Sequence, residues 1–200
     1  MNSEAAATKG VAVYCASSDR LNPAYYECAR ETGRQLALHG IPVINGGGRM
    51  GLMAAVTEGA IAAGGTAIGV LPEFMLARGW NHPDLTETLS TADMHERKQT
   101  MARMSRGAIA LPGGIGTFEE MFEIITWRQL ELYTGPMVIC NFMGFYDKLL
   151  EFLAHVDKEH FMRAGAPAKL WRVATTAEEA VEMALRPAEV IVDDYTKGKF

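Results

Sequence analysis

The sequence predicts an α/β fold: a Rossmann-like doubly wound parallel sheet of about seven strands with helices on both faces. Three observations predict it. Short β-branched apolar runs alternate with longer stretches whose apolar residues recur at helical spacing, the pattern of a parallel sheet covered by crossover helices. Two glycine-rich loops each follow a strand and open a helix. Neither an internal repeat nor a Pro/Ser-rich linker divides the chain, so one domain is expected over residues 11–186, with tails at 1–10 and 187–200.

Strands are expected at Val11–Ala16, Pro42–Asn45, Ala67–Leu71, Glu87–Thr91, Ala108–Leu111, Met137–Asn141 and Arg172–Ala174. Helices are expected at Pro23–His39, Gly51–Ala63, His95–Ser105, Thr117–Glu131, Tyr146–Phe161 and Ala177–Leu185. His39-Gly40 is a stop signal for the first helix, because glycine takes the left-handed conformation after a helix end at little cost.

Composition narrows the function. A chain of 200 residues buries roughly 70% of the surface it would expose unfolded, enough for one core. With 48% hydrophobic and 22% charged residues it falls in the globular range. A net charge of −5 and the lack of any Lys/Arg run argue against a nucleic-acid partner, while leaving room for a small anion held by a few local donors. Cys15, Cys28 and Cys140 follow no paired spacing, so neither a disulfide framework nor a metal site is expected. With no basic, apolar leader in the opening residues and no run of ~20 apolar residues, a cytoplasmic location away from membranes is expected.

Gly46-Gly47-Gly48-Arg49-Met50-Gly51 follows the strand Pro-Val-Ile-Asn and matches G-x-G-x-x-G, with Glu73 further on. Its place after the second strand, and Pro72 ahead of that acid, count against dinucleotide binding; a tight packing turn is the plain alternative. The second loop, Pro112-Gly113-Gly114-Ile115-Gly116-Thr117-Phe118-Glu119-Glu120, is more specific. Its N–H groups and the helix N-terminus suit a monophosphate, with Thr117 as a hydroxyl donor and Ser17 and Ser18 closing the site from the first strand. Thr117 to Glu120 also reads as a capping box, T-x-x-E, which would make Glu120 structural. Adjacent glutamates point about 100° apart on a helix, so one can serve the helix while the other faces the crevice.

Asp93-Met94-His95-Glu96-Arg97-Lys98 has two readings. It is either a solvated helix turn or a phosphate- and ribose-binding pair, with the fork of Arg97 and the point charge of Lys98. His95 reads as a helix-start donor rather than a base.

These segments, GGGRMGLM from Gly46 to Met53, MHERK from Met94 to Lys98, PGGIGTFEE from Pro112 to Glu120 and Thr126-Trp127-Arg128-Gln129-Leu130, resemble the Lonely Guy (LOG) family from about Val11 to Phe161. The resemblance implies a cytokinin riboside 5′-monophosphate phosphoribohydrolase, which cuts the N-glycosidic bond of N6-substituted AMP, and of AMP, to free base and ribose 5-phosphate. It puts the catalytic pair on Arg97 and Glu120. It puts nucleotide contacts on Lys98, on the loop Gly114, Ile115, Gly116 and Thr117, on Glu119 and on Thr126; Gly113, Phe118, Met94, Gly46, Gly47, Gly48 and Ser18 are further candidate substrate-binding residues read from the two loops and the helix start. It implies no metal or organic cofactor, and a homodimer or larger assembly with the region of Trp127 and Met94–Lys98 near the interface.

Two departures stand out. Arg78 is followed by Gly79 where many members carry an acid, and Glu131, Tyr133 and Gly135 replace the Gly, His and Lys of the family's W-x-QLG-x-H-x-KP pattern. For the implied reaction, an ionised Glu120 beside C1′ would stabilise the oxocarbenium-like sugar and deprotonate the attacking water. The rivals are a non-catalytic nucleotide carrier on the same fold and a pyridoxal-dependent lysine decarboxylase, for which Lys98 is the only lysine in the recognised motifs.

Overall fold

The computed structural model describes residues 9–162 and 165–188. The first eight residues of the expected N-terminal tail, and the C-terminal tail beyond Ala188, lie outside the described residues. Seven strands form one sheet in the order β4-β3-β2-β1-β5-β6-β7, every neighbouring pair parallel. They are β1 (Gly10–Tyr14), β2 (Val43–Asn45), β3 (Ala67–Pro72), β4 (Glu87–Thr91), β5 (Ser105–Ala110), β6 (Met137–Cys140) and β7 (Arg172–Ala174). The chain winds outward from β1 to β4, crosses back and winds the other way from β5 to β7. The loops after β1 and β5 therefore diverge, leaving a crevice at the carboxyl ends of the strands.

Alternation along each strand divides the core in two. Val11, Val13, Ile109, Leu111, Val138 and Cys140 enter one buried cluster, covered by helices α1 (Pro23–Leu38), α2 (Gly51–Ala62) and α8 (Ala177–Leu185). Ala12, Tyr14, Ala108, Ala110, Met137 and Ile139 enter the other, beneath α4 (Met94–Met104), α5 (Ile115–Gln129), α6 (Asp147–Lys158) and α7 (Ala166–Leu170). Burial on both faces explains why the central strands carry no polar alternation. Helices α1 and α2 cross at backbone contact: a Cβ on Gly33 would lie 2.0 Å from the Val56 carbonyl oxygen, and one on Gly59 2.0 Å from that of Arg30. The expected stop after α1 is present, with Gly40 at φ +66°.

The sequence pattern passes over three pieces. They are α3 (Glu73–Ala77), α7 and a 3₁₀ turn at Phe142–Gly144, each too short to establish a helical period. Helix α4 runs into β5 with no loop between them, so the strand begins at Ser105, which was expected to end the helix.

The altered segment after α5 is structural. Glu131 adopts φ +59°, the left-handed conformation that a glycine would take cheaply at this helix end. Tyr133 is buried, its hydroxyl 3.0 Å from that of Ser105. Buried Arg128 donates to the carbonyls of Leu170 at 2.8 Å and Lys169 at 2.7 Å, and to that of Gly135, tying α5 to α7 and to the approach to β6.

Candidate active site

The second glycine loop joins β5 to α5 at the crevice. Helix α5 starts at Ile115, with extended Gly114 as its N-cap and no side chain capping it. Thr117 is therefore inside the first turn, which corrects the capping-box reading: the cap stands three residues earlier and Glu120 has no cap to return to. A Cβ on Gly113 would sit 2.1 Å from Thr117 Oγ1, so only glycine lets the hydroxyl tuck against the loop. At Gly114 and Gly116 a Cβ would meet nothing within 4 Å, so these face open space. Ile115 is 82% exposed. Uncapped N–H groups at a helix start, carrying about half a positive charge, form a ready anion cradle.

A side-chain cap of related design stands one helix earlier. Asp93 caps α4 by accepting from the His95 and Glu96 N–H groups at 2.8 Å, and Glu96 reaches back to accept from Ala92 N–H at 2.7 Å. His95 thus contributes its backbone to the helix start, as expected. The cap fixes the helix rotation that turns Arg97 and Lys98 inward, both buried. Arg97 donates from Nε to the Val70 carbonyl at 3.0 Å and from Nη1 to Glu120 Oε1 at 3.1 Å, with Met94 Sδ 3.9 Å from the same nitrogen. A Cβ on Gly46 would fall 2.0 Å from Arg97 Nη2, so the first glycine loop is cut away to admit the guanidinium. Lys98 Nζ pairs with Glu119, and with Glu123 at 3.2 Å.

Burial pushes the Glu120 carboxyl above the ordinary carboxylate range, although Arg97 beside it pulls the other way. Burial alone would lower Lys98, but its bonds to Glu119 and Glu123 outweigh this and hold it above the usual lysine value. The Cys15 thiol near Glu120 is pushed up by burial, then by the Glu120 charge, and stays protonated.

The first loop bounds the other side. Gly47 and Gly51 adopt φ +68° and +64°, and the Asn45 side chain accepts from Gly47 N–H at 2.8 Å. Gly51 abuts the backbone of Ala16, Ser17 and Ser18, so the loop after β1 and the start of α2 meet closely. A cavity of about 330 Å³ opens here, with Ser17, Gly46, Gly48, Met53, Trp80 and Arg97 in its wall. Ser17, rather than Ser18, faces it; Ser18 Oγ accepts from Arg20 N–H at 3.4 Å. A larger cavity of about 680 Å³ lies by Ser105 and Pro136, at the opposite strand ends, and none of Arg97, Lys98, Glu119 or Glu120 lines it.

The structure thus brings together Arg97, Lys98, Glu119, Glu120 and the Gly113–Thr117 loop, with Met94 and Gly46–Gly48 adjoining. It does not bring Thr126 there. Ten residues beyond Gly116 on one helix, Thr126 lies ~15 Å along the axis, and its hydroxyl is exposed and donates to the Phe122 carbonyl at 2.8 Å. The Phe118 ring turns to the core, 6.0 Å from the Tyr146 ring, so only its backbone faces the loop. Gly79 has φ +63° and a Cβ there would meet nothing within 4 Å. Glu73 is exposed at the start of α3. Sequence reasoning passed over Glu123, whose i+4 spacing from Glu119 was the available signal, and the Trp80 wall, which no local pattern announces.

Fold and site define a class: a doubly wound α/β protein whose glycine-rich βα turns flank a largely buried guanidinium–carboxylate pair at the switch point. Residues 53–184 match the family described as "Possible lysine decarboxylase". Cytokinin riboside 5′-monophosphate phosphoribohydrolase LOG4 of Arabidopsis thaliana is 38% identical over 172 residues, covering 86% of this chain and 80% of that protein. Its namesake LOG of Oryza sativa subsp. japonica is 37% identical over 188 residues, covering 94% and 76%. The chain belongs to the LOG family. Among solved structures, the molybdenum cofactor carrier protein of Chlamydomonas reinhardtii superposes with a TM-score of 0.66 at 23% identity, covering 88% of this chain and 94% of that one. The molybdenum cofactor binding protein of Rippkaea orientalis gives 0.65 at 20%, covering 87% and 94%. These two share the fold.

Proposed function

We propose that this chain is a hydrolase cleaving the N-glycosidic bond of adenosine-type nucleoside 5′-monophosphates, AMP and N6-substituted cytokinin nucleotides, to free base and ribose 5-phosphate. The observation that carries the reading is Glu120: a largely buried carboxylate 3.1 Å from Arg97, on the helix whose N-terminus presents the glycine loop to the crevice. The names of the relatives support its cytokinin-nucleotide part.

The phosphate is bound by the N–H groups of the Gly113–Thr117 loop, and Thr117 adds its hydroxyl. Lys98, held charged by Glu119 and Glu123, supplies a cation beside them. Anchoring the phosphate fixes the sugar, so binding energy is spent on presenting C1′ to Glu120. As the bond to the base lengthens, positive charge grows on the ribose, and a carboxylate in a water-poor site stabilises it far better than in bulk. The same carboxylate takes the proton of the attacking water, a role its raised pKa suits. Arg97, fixed by the Val70 carbonyl, aims Glu120 and keeps it ionised.

A Schiff-base lysine must be neutral to react, and the one lysine of this site is held charged by two carboxylates, which disfavours the decarboxylase reading. A carrier on this fold would bind nucleotide without needing Glu120 ionised. The test is incubation with AMP and N6-isopentenyl-AMP, with free base and ribose 5-phosphate quantified by chromatography. Turnover that vanishes in Glu120→Gln supports the reading, and tight binding without turnover overturns it in favour of the carrier.

A further inference from the structure

The cavity of about 680 Å³ lies at the amino-terminal strand ends, away from the crevice, and is large enough for a small organic ligand. Three exposed cations reach it from three elements: Lys9 just ahead of β1, Arg103 on α4 and Arg106 in β5. No aspartate or glutamate side chain lines it.

Two more cations stand behind its wall. Among the described residues, buried Arg128 donates to carbonyls alone, and one of them belongs to Gly135 in the lining. Arg172 does the same, donating to the carbonyls of Met183 at 2.6 Å, Arg186 at 3.0 Å and Pro187 at 2.6 Å, the last also in the lining. Among the described residues none of these five cations lies within ion-pair distance of a carboxylate. Lys98 in the crevice, by contrast, is paired with two. In a chain of net charge −5, this end therefore holds a local excess of positive charge around an open cavity. Guanidinium forks and an ammonium suit phosphate oxygens, and three of them on one rim suit more than one phosphoryl group. The half-buried Trp127 indole in the same wall gives a planar group a surface to stack on, and Gln99 and Thr134 offer neutral donors and acceptors.

We propose that this cavity is a second ligand site, for a nucleoside polyphosphate whose phosphates lie against Lys9, Arg103 and Arg106 and whose base lies against Trp127. A single phosphate carries too little charge to engage all three cations, which separates this ligand from the monophosphate of the crevice. The proposal is independent of the hydrolase reading, since none of Arg97, Lys98, Glu119 or Glu120 lines the cavity.

The experiment is calorimetric titration with ATP, and separately with pyrophosphate, of the unmodified chain, the double variant Arg103→Ala with Arg106→Ala, Trp127→Leu and Gly116→Ala. Both arginines are exposed, so the double variant should fold, which circular dichroism checks. Loss of a hydrogen bond to a charged group weakens binding by roughly tenfold or more, so the double variant should raise the Kd for ATP at least about tenfold. Trp127→Leu should raise it by roughly fivefold or more through lost stacking. Gly116→Ala, altered at the crevice alone, should leave it unchanged, and added salt should weaken it in the unmodified chain. ATP binding that survives the double substitution, or that is lost in Gly116→Ala instead, assigns the anion to the crevice and overturns the proposal. Pyrophosphate binding as tight as that of ATP, or capture of an oligothymidylate in preference to ATP, overturns it as well.

Discussion

Replacing Glu120 with glutamine separates chemistry from architecture, because the structure makes opposite demands on the two. The amide keeps the shape and can still accept from Arg97 Nη1, now at 3.1 Å from Oε1, but it can neither take a proton from water nor oppose charge on the sugar. General-base loss alone is worth about 10²–10⁴-fold, so kcat should fall by at least ~10³-fold once the electrostatic contribution is included. Stability should move little. Burial raises the Glu120 pKa, which means that the folded state favours the neutral carboxyl relative to the unfolded chain, and a neutral side chain of the same shape suits that environment. The lost charge on one side of a buried pair works against this, and the balance should leave the melting temperature within about 4 °C, equivalent to ~1 kcal/mol. Initial rates of adenine release from AMP, with unfolding followed by circular dichroism, measure both. A variant that folds normally and turns over within tenfold of the unmodified chain refutes the assignment of Glu120.

Further outcomes follow from the same geometry. The acid limb of the kcat/KM profile should lie above the ordinary glutamate value of about 4.3, because activity needs the carboxylate and is lost as pH falls through a raised pKa; Arg97→Ala, which removes the partner that lowers it, should move the limb higher still. Gly116→Ala should leave the fold intact or gain up to ~1 kcal/mol, since its Cβ meets nothing within 4 Å, yet raise KM several-fold by crowding the phosphate cradle; an unchanged KM would remove that residue from the site. Gly59→Ala should destabilise the chain by ~2 kcal/mol or more, as its Cβ would lie 2.0 Å from the Arg30 carbonyl, with kcat of the folded fraction unaltered. Ile115, Leu130 and Leu132 expose 82%, 56% and 71% of their surfaces on and just beyond α5, and we propose a homodimer or larger assembly covering this face; a monomer in sedimentation equilibrium would contradict it.

The sheet was legible because strands covered on both faces are short continuous apolar runs, and all seven were found within a few residues of their ends. Helix α5 misled at its start. Thr117 and Glu120 carry the residue types of a capping box, but the helix begins at Ile115 with Gly114 as its cap, and glycine there costs a cap side chain that the anion cradle does without. The side-chain cap that does form, Asp93 with Glu96, was visible in the sequence as part of a charged turn, and only the pairing of its donors distinguishes it from a solvated one. Arg97 meets Glu120 across 23 positions of chain, a juxtaposition that motif residues suggest by resemblance and that only strand order can produce. Trp80 was illegible for another reason. Its role depends on backbone pairing between two loops, Arg49 to Trp80 and Gly48 to Asn81, which leaves no periodic trace. Thr126 shows the converse: a motif residue that helix geometry keeps out of the crevice of its own chain.

The central claim is that a sugar phosphate held by the Gly113–Thr117 loop presents its anomeric carbon to Glu120. It is tested most directly by ³¹P NMR of N6-isopentenyl-AMP incubated with the purified chain, with the corresponding nucleoside followed in parallel by chromatography. The account predicts conversion of the nucleotide signal to that of ribose 5-phosphate and an intact nucleoside. Release of inorganic phosphate, or cleavage of the unphosphorylated nucleoside at a similar rate, would contradict it.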